Sequence, residues 1–403
     1  MKRTALLALL GVVFTGTAIA ADPIPIGISI AQSPPGSVVQ GAQVKDGVEI
    51  VKDMINAKGG VLGRPIQLIY EDSQGIPEKG RAAAEKLITK DKVVAITGGH
   101  ASSVCLAEIE VAHRYEVPYI NTNCWSDDVR KKGYPEVFNP GNYNSRVAQA
   151  MAETIAAMKL KRVVAFAENT DYGIGQAKAL ADFLKAKSPG TEFKYETLDR
   201  AGKDFTPAVV ALRANPPDMV VTMMLPPAAY IFMNQLYEQG VAPSAKTWFY
   251  DGGGISDYPD FWANVKDAGK YMISFGLYHP QMPQPALGKE VAAEYTKRTK
   301  NEPNRLIFQA ADSLLLIVEA IKQAKSADPK AITKQLASMK FEGVRGAFQF
   351  SSAKEPGYAY QQWVDIPYVN YQLTDVNQPV SKSNLIQGPG QPLAVTKLQR
   401  PAK

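Results

Sequence analysis

Several residue types and patterns that mark whole classes of protein are scarce in this 403-residue chain. It has two cysteines and three histidines, and none of them follows the C-x-x-C or H-x-x-x-H spacing of a zinc site. Its charges are interspersed, without a block of five or six of one sign, which argues against binding to nucleic acid or an anionic membrane. We therefore predict no metal, no cofactor and no nucleic-acid partner.

Long apolar runs are confined to the first twenty residues. Lys2 and Arg3 precede a short apolar segment, and Ala-Ile-Ala at 18–20 offers a cleavage site, a pattern typical of a secretory signal peptide. We expect residues 1–20 to be removed near Ala20, which places a soluble mature protein in the periplasm. Removal lowers the formal net charge from +6 to +4, with 43 basic and 39 acidic residues.

The two cysteines, Cys105 and Cys124, both belong to the mature protein. Exported thiols tend to oxidise, so one disulfide is a reasonable expectation. Two buried free thiols are the alternative, and the sequence leaves both open because pairing depends on geometry.

From residue 24 onward, short apolar runs alternate with stretches of helical period. In the first helix, Val44, Val48, Val51 and Ile55 recur at i, i+4, i+7 and i+11 before a Gly-Gly stop. Strands are predicted at 24–30, 66–70, 93–97, 117–121, 163–167, 192–198, 219–224 and 247–250, with helices between them. This order requires parallel sheets covered by helices, and its restart after a polar stretch at 139–145 predicts two α/β lobes.

The last third is too small for a third core. It is predicted to contain strand 271–275, helices near 286–299, 305–324 and 329–338, and strand-like pieces at 346–350 and 358–365. These elements would complete the two lobes, so the chain would cross between lobes near 143–146, 275–279 and 351–355. The expected division is 21–144 with 276–352 as lobe 1, 145–275 with 353–372 as lobe 2, and 373–403 as an extended tail.

Four blocks of sequence resemble a known family. They are INAKGGVLGRPIQLIYEDSQGIPEKGRAAAEKLI (55–88), GGHASS (98–103), VPYIN (117–121) and AGKDFTPAVVALRANPPDMVV (201–221). They are similar to the extracellular substrate-binding proteins of ABC transporters, of the branched-chain amino-acid-binding type with a type I periplasmic-binding fold. The resemblance implies two lobes joined by three crossover strands, a ligand closed into the cleft, a membrane permease as partner, a monomer, and no catalysis.

The GGHASS turn is the strongest candidate for ligand contact. In open α/β sheets ligands bind beyond the carboxyl ends of strands, and the first turn of a helix offers free N–H groups and partial positive charge. Ser102 and Ser103 are placed to hold a carboxylate there without Arg or Lys, the role that the resemblance also implies. One serine could instead only cap the helix. A nucleophile is disfavoured because no G-x-S-x-G motif surrounds either serine.

The resemblance implies further contacts and two departures. Trp125 stands where the family usually has a small hydroxyl residue, and Tyr172 matches an aromatic that packs on the ligand from the second lobe. The acid that pairs with a ligand ammonium is replaced by Gly253, so either Asp251 takes that role or the ligand has no amine. The predicted ligand-binding set is Gln40, His100, Ala101, Ser102, Ser103, Asn123, Cys124, Trp125, Tyr172, Tyr230 and Asp251.

Three functional hypotheses follow. The first is capture of a branched-chain amino acid or related small carboxylate for an ABC importer. The second is capture of an amine-free aromatic or aliphatic carboxylate for uptake. The third is a sensor that presents its closed form to a receptor.

Overall fold

The computed structural model describes residues 22–402, so the predicted signal peptide and its cleavage site lie outside the described residues. Across this range, helices and strands alternate along most of the chain. No helix in residues 22–402 combines the length and apolar character needed to span a bilayer.

The strands of residues 22–402 are β1 Ile24–Ile30, β2 Ile66–Asp72, β3 Ile96–Gly98, β4 Tyr119–Asn121, β5 Val137–Phe138, β6 Arg162–Glu168, β7 Glu192–Leu198, β8 Met219–Met223, β9 Trp248–Asp251, β10 Ile273–Gly276, β11 Lys340–Glu342, β12 Ala347–Gln349, β13 Val369–Gln372 and β14 Asn384–Gln387. The α-helices of the same range are α1 Val38–Ala57, α2 Pro77–Thr89, α3 Ser102–Arg114, α4 Asp128–Lys131, α5 Asn144–Ala157, α6 Asp171–Lys187, α7 Thr206–Ala214, α8 Ala228–Glu238, α9 Phe261–Val265, α10 Ala286–Thr299, α11 Arg305–Ala324 and α12 Pro329–Ser338.

The first sheet is parallel and has the order β2-β1-β3-β4-β5. Its inner strand β1, which pairs with β2 and β3, is almost wholly buried, as expected for a strand with helices on both faces. Helices α1 and α11 pack against each other, as do α2 and α3. The apolar face of α1 thus packs against a neighbouring helix, as its periodicity predicts.

The second sheet has the order β14-β13-β10-β9-β8-β6-β7. Strands β6 to β10 run parallel to their neighbours, whereas β13 and β14 add two antiparallel strands at one edge. Helix α7 begins at Thr206 with Pro207 in its first turn, the arrangement that suits a residue without an N–H. Two α/β lobes with parallel sheets confirm the predicted fold class.

The chain passes between the two sheets three times. It leaves the first sheet after Phe138, returns between Gly276 and α10, and leaves again between Gln349 and Val369. Strands β11 and β12 form a separate two-stranded sheet before the last passage. The lobe boundaries given above stay a prediction.

Three local expectations differ from the structure. No strand forms at 358–365, where the chain makes only a single bridge between Asn139 and Gln362. The side chain of Gln362 instead accepts a hydrogen bond from Arg130 and donates one to the backbone carbonyl of Gly141. Side-chain hydrogen bonds thus hold this segment in place without the backbone pairing of a strand. Helix α5 was not predicted. The expected extended tail contains β14, which pairs with β13.

Candidate ligand-binding site

A narrow cavity of about 10 Å³ lies in the cleft between the two sheets. Its lining residues are His100, Ser102, Asn123, Trp125, Tyr172, Leu225, Gly253, Tyr258 and Arg305. Most of them follow the carboxyl ends of parallel strands: β3 and β4 in the first sheet, and β6, β8 and β9 in the second. In each sheet the strand order reverses close to these ends, between β1 and β3 and between β6 and β8, which is where open α/β folds bind ligands.

The glycines of the GGHASS turn let the chain leave β3 toward the cleft. Gly98 has a φ of +114°, and a Cβ atom there would lie 2.2 Å from the backbone oxygen of Ser29. Only glycine tolerates both conditions. The turn therefore delivers His100 and Ser102 to the cavity.

The two serines have different surroundings. Ser102 is the first residue of α3, it is buried, and its Oγ accepts a hydrogen bond from the backbone N–H of Ser126 at 3.0 Å. Ser103 lines a separate, wider groove between α3 and α6. The N-cap of α3 is Ala101, without a side-chain cap, so neither serine has the capping role and only Ser102 lines the cavity.

A short relay of hydrogen bonds connects the loops after β3 and β4. Trp125 Nε1 donates to Asn123 Oδ1 at 2.8 Å, and Asn123 Nδ2 lies 2.9 Å from His100 Nδ1. Burial, followed by the positive charges of Arg305 and Arg200, lowers the pKa of His100 to about 3. His100 is therefore neutral at physiological pH.

Cys105 and Cys124 form a disulfide that joins α3 to the loop after β4. This resolves the alternative that the sequence left open in favour of pairing. Cys124 is fully buried and does not line the cavity. Its contribution to the site is to tie α3, which follows the turn with His100, to the loop that carries Trp125.

Aromatic side chains from both lobes form much of the cavity wall. Trp125 and Tyr172 meet edge-to-face, with ring centroids 6.0 Å apart. Tyr172 is buried, and its Oη has no hydrogen-bond partner among the described residues. Burial raises the pKa of Tyr172 well above its usual value, so its hydroxyl stays protonated and can donate into the cavity.

Asp251 is fully buried at the end of β9 but does not line the cavity. Its carboxylate accepts from the backbone N–H of Gly253 at 2.9 Å and of Ile255 at 2.7 Å, and from Ser274 Oγ at 3.0 Å. Burial raises the pKa of Asp251 to about 6. The carboxylate thus shapes the loop that follows β9.

Two other predicted residues lie outside the cavity lining. Tyr230 donates its hydroxyl proton to Asp260 Oδ1 at 3.0 Å. Gln40 is buried in α1, and its Nε2 has no partner among the described residues. His100, Ser102, Asn123, Trp125 and Tyr172 line the cavity, whereas Gln40, Ala101, Ser103, Cys124, Tyr230 and Asp251 do not.

Arg305, the first residue of α11, is the charged cavity residue that sequence reasoning missed. Its side chain is 1% exposed and forms an ion pair with Asp257. It also donates to the carbonyl oxygens of Gly253 and Gly254 and to Tyr258 Oη. Although burial works against the charge, Asp257 and Tyr258 hold the pKa of Arg305 above its usual value, so it carries a full positive charge beside the cavity.

The sequence of this chain matches the model of a known protein family. The sequence model described as "Periplasmic binding protein" matches residues 23–362. The chain belongs to the periplasmic binding protein family.

Full-length relatives support this membership. This periplasmic binding protein is 26% identical over 330 residues to the amino acid binding protein of Pseudomonas aeruginosa, covering 81% of this chain and 86% of that protein. It is also 26% identical over 356 residues to Leu/Ile/Val-binding protein homolog 7 of Brucella abortus, covering 83% and 86%.

Solved structures share the fold of this periplasmic binding protein. The leucine-binding protein LivK of Thermotoga maritima superimposes with a TM-score of 0.79 at 20% identity, over 90% of this chain and 97% of that one. A solute-binding protein of an ABC transporter from R. palustris, crystallised with benzoate, gives 0.77 at 19% identity, over 92% and 97%. At these identities the likeness concerns the fold.

Proposed function

We propose that this protein captures a small amine-free carboxylate in the cleft between its lobes and delivers it to the membrane permease of an ABC importer. The family and the two-lobed fold support solute binding for such an importer. The chemistry of the cavity wall supports the choice of ligand.

The observation that carries the proposal is the polarity of the cavity. Of the nine described residues that line it, Arg305 is positively charged and none has a carboxylate. Tyr172 Oη and Arg305 Nε are buried without a protein partner among the described residues, and both can donate. Because a buried polar group without a partner costs free energy, such a wall favours a ligand that accepts hydrogen bonds and carries negative charge.

An ammonium group would find no counter-charge here. Gly253 replaces the acid of the amino-acid-binding type, and Asp251 already accepts three hydrogen bonds away from the cavity. Burying an ammonium without an anionic partner costs several kcal/mol. The cavity therefore discriminates against free amino acids, although several relatives are named for binding them.

The chemistry of the cavity walls favours an acid with an apolar body. Trp125, Tyr172, Tyr258 and Leu225 supply flat and apolar surface around the cavity. A single aromatic ring or a short branched chain carrying a carboxylate suits these walls.

Closure of the lobes completes the site. Both lobes line the cavity, so the ligand can contact all its partners only when the lobes meet, as in hinge-closing binding proteins. We expect export to the periplasm, and recognition of the closed form by the permease. A sensor role would use the same closure and would be distinguished by a receptor as partner.

A thermal-shift screen of ligand-stripped mature protein tests the proposal, since a ligand that binds only the folded state raises Tm. Benzoate, 4-hydroxybenzoate, phenylacetate and isovalerate are compared with leucine, valine and phenylalanine. We expect shifts with amine-free acids and none with amino acids. Equal or larger shifts with amino acids would contradict the choice of ligand.

Ser102→Ala and Ser103→Ala form a matched pair for the site itself. Ser102→Ala should weaken binding of the best acid by about 1–3 kcal/mol, because a buried donor is lost. Ser103→Ala should leave affinity unchanged, since Ser103 lines the separate groove and not the cavity. Calorimetry that finds equal losses in both variants would place the ligand elsewhere.

A further inference from the structure

The relay between Trp125, Asn123 and His100 fixes the direction of each hydrogen bond. An indole nitrogen can only donate, so the atom of Asn123 that faces Trp125 Nε1 at 2.8 Å must be the amide oxygen. The amide nitrogen therefore faces His100 Nδ1, 2.9 Å away. An amide N–H donates, so His100 Nδ1 accepts and carries no proton.

The proton of His100 consequently lies on the other ring nitrogen. Because His100 is buried beside Arg305, its pKa is lowered to about 3, and a neutral imidazole carries one N–H. With Nδ1 accepting, that N–H is on Nε2. This atom is buried and has no hydrogen-bond partner among the described residues, and His100 lines the cavity.

An uncharged donor suits this part of the cavity. Arg305 already places a positive charge on the cavity wall, and a protonated His100 would add a second buried cation. A neutral N–H instead offers a directed hydrogen bond to an anion without that cost. The other titratable side chains on the wall are the hydroxyls of Tyr172 and Tyr258.

Building on the proposed function, we propose that His100 is a specificity-determining residue whose Nε2–H donates to the ligand carboxylate, and that Asn123 and Trp125 are positioning residues that hold its tautomer. A ligand that presents an N–H or ammonium group at this position meets a donor and is rejected. A site built around a fixed donor discriminates strongly against ligands that cannot accept from it.

The tautomer is measured without any ligand, by long-range ¹H–¹⁵N NMR of the imidazole nitrogens in the mature protein at pH 7. The signals of His100 are assigned by their loss in His100→Gln, with His113 and His279 as internal references. We expect a neutral ring protonated at Nε2. A charged ring, or one protonated at Nδ1, would overturn the inference.

Variants test the donor with benzoate as the probe, or with the best acid from the screen. His100→Leu should weaken binding by about 10- to 100-fold, and His100→Gln should recover at least part of that loss because its amide N–H restores a donor. Equal affinities of the Leu and Gln variants would overturn the donor role. His113→Gln is the control, because His113 lies on the opposite end of α3 and bonds to Glu136.

Asn123→Asp tests the relay. A carboxylate at position 123 would accept from Nδ1–H, so the NMR signature should change and binding of the acid should weaken along with it. An unchanged tautomer in this variant would overturn the positioning role. If no acid binds and the ring of the parent protein is still protonated at Nε2, the proposed function fails while the assigned tautomer stands.

Discussion

Arg305 offers the most informative single perturbation, because it connects the two lobes. It begins α11, which packs on α1 in the first lobe, whereas its hydrogen-bond partners follow β9 in the second lobe. Arg305→Met removes the charge but keeps an unbranched apolar stem. The variant leaves Asp257, whose side chain is 7% exposed, buried without its cation.

The size of the effect follows from burial. Breaking a buried ion pair by removing one partner costs about 3–5 kcal/mol, because the remaining charge is uncompensated. Since the partners lie in opposite lobes, this loss falls on the contact that closes the cleft. We therefore expect Arg305→Met to lower the free energy of unfolding and to weaken ligand binding by at least two orders of magnitude.

The double variant Arg305→Met/Asp257→Asn separates the two roles of Arg305. With both charges removed, no buried charge is left unpaired, so stability should recover by a coupling energy that a double-mutant cycle measures. Affinity for the acid should not recover, because the cavity has still lost its cation. Urea unfolding gives the first quantity and calorimetry gives the second.

The reasoning would be refuted by either of two results. If Arg305→Met changes stability by less than 1 kcal/mol, the ion pair does not hold the lobes as described. If the double variant regains the affinity of the parent protein for the acid, Arg305 acts only through Asp257. In that case the positive charge of the cavity plays no part in ligand selection.

Two further predictions concern buried carboxyl groups. Burial raises the pKa of Glu108 from 4.5 to about 7, so the folded state binds the proton more tightly than the unfolded state. The free energy of unfolding should therefore fall by about 2–3 kcal/mol as pH rises from 5 to 8. Glu108→Gln should abolish most of this fall in urea titrations at the two pH values, and an equal fall in the variant would contradict the assignment. Asp251→Asn should weaken the binding of every ligand by a similar factor, because the amide cannot accept hydrogen bonds from both loop N–H groups. If calorimetry finds a loss of affinity only for ammonium-bearing ligands, Asp251 contacts the ligand instead.

Much of the fold was predictable because the helices and strands have clear periodicity. Helices α10, α11 and α12 match their predicted ranges, and β1 and β7 begin and end at the predicted residues. Helix α5 was not predicted because the residue at its N-cap, Tyr143, forms no side-chain capping hydrogen bond and the preceding residues are typical of a loop. Strand β14 was not predicted because it is only four residues long and lies in a segment rich in proline and glutamine.

The site was only partly predictable, for reasons of sequence distance. The rule that ligands bind beyond strand ends located His100, Ser102 and Trp125, since each follows a recognisable strand. Arg305 lies about 200 residues from these residues, at the start of a helix that was predicted only to complete a lobe and that has sixteen buried residues. One signal was present in the sequence. Asn304 caps α11, which places Arg305 in the first turn of the helix, and the N-terminal turn of this helix lies beside the cavity.

Asp251 shows why residue type alone did not decide the ligand. The glycines after it let the chain turn back so that N–H groups at 253 and 255 point at the carboxylate. Gly254 makes this turn possible because its φ is +62°. A Cβ atom at this position would lie only 2.8 Å from the backbone oxygen of Phe275, so no other residue fits. The same turn exposes the carbonyl oxygens of Gly253 and Gly254 to Arg305. The glycines thus withdraw a negative charge from the cavity and anchor a positive one beside it, so the preference for an anionic ligand arises from the backbone of this loop as much as from any side chain.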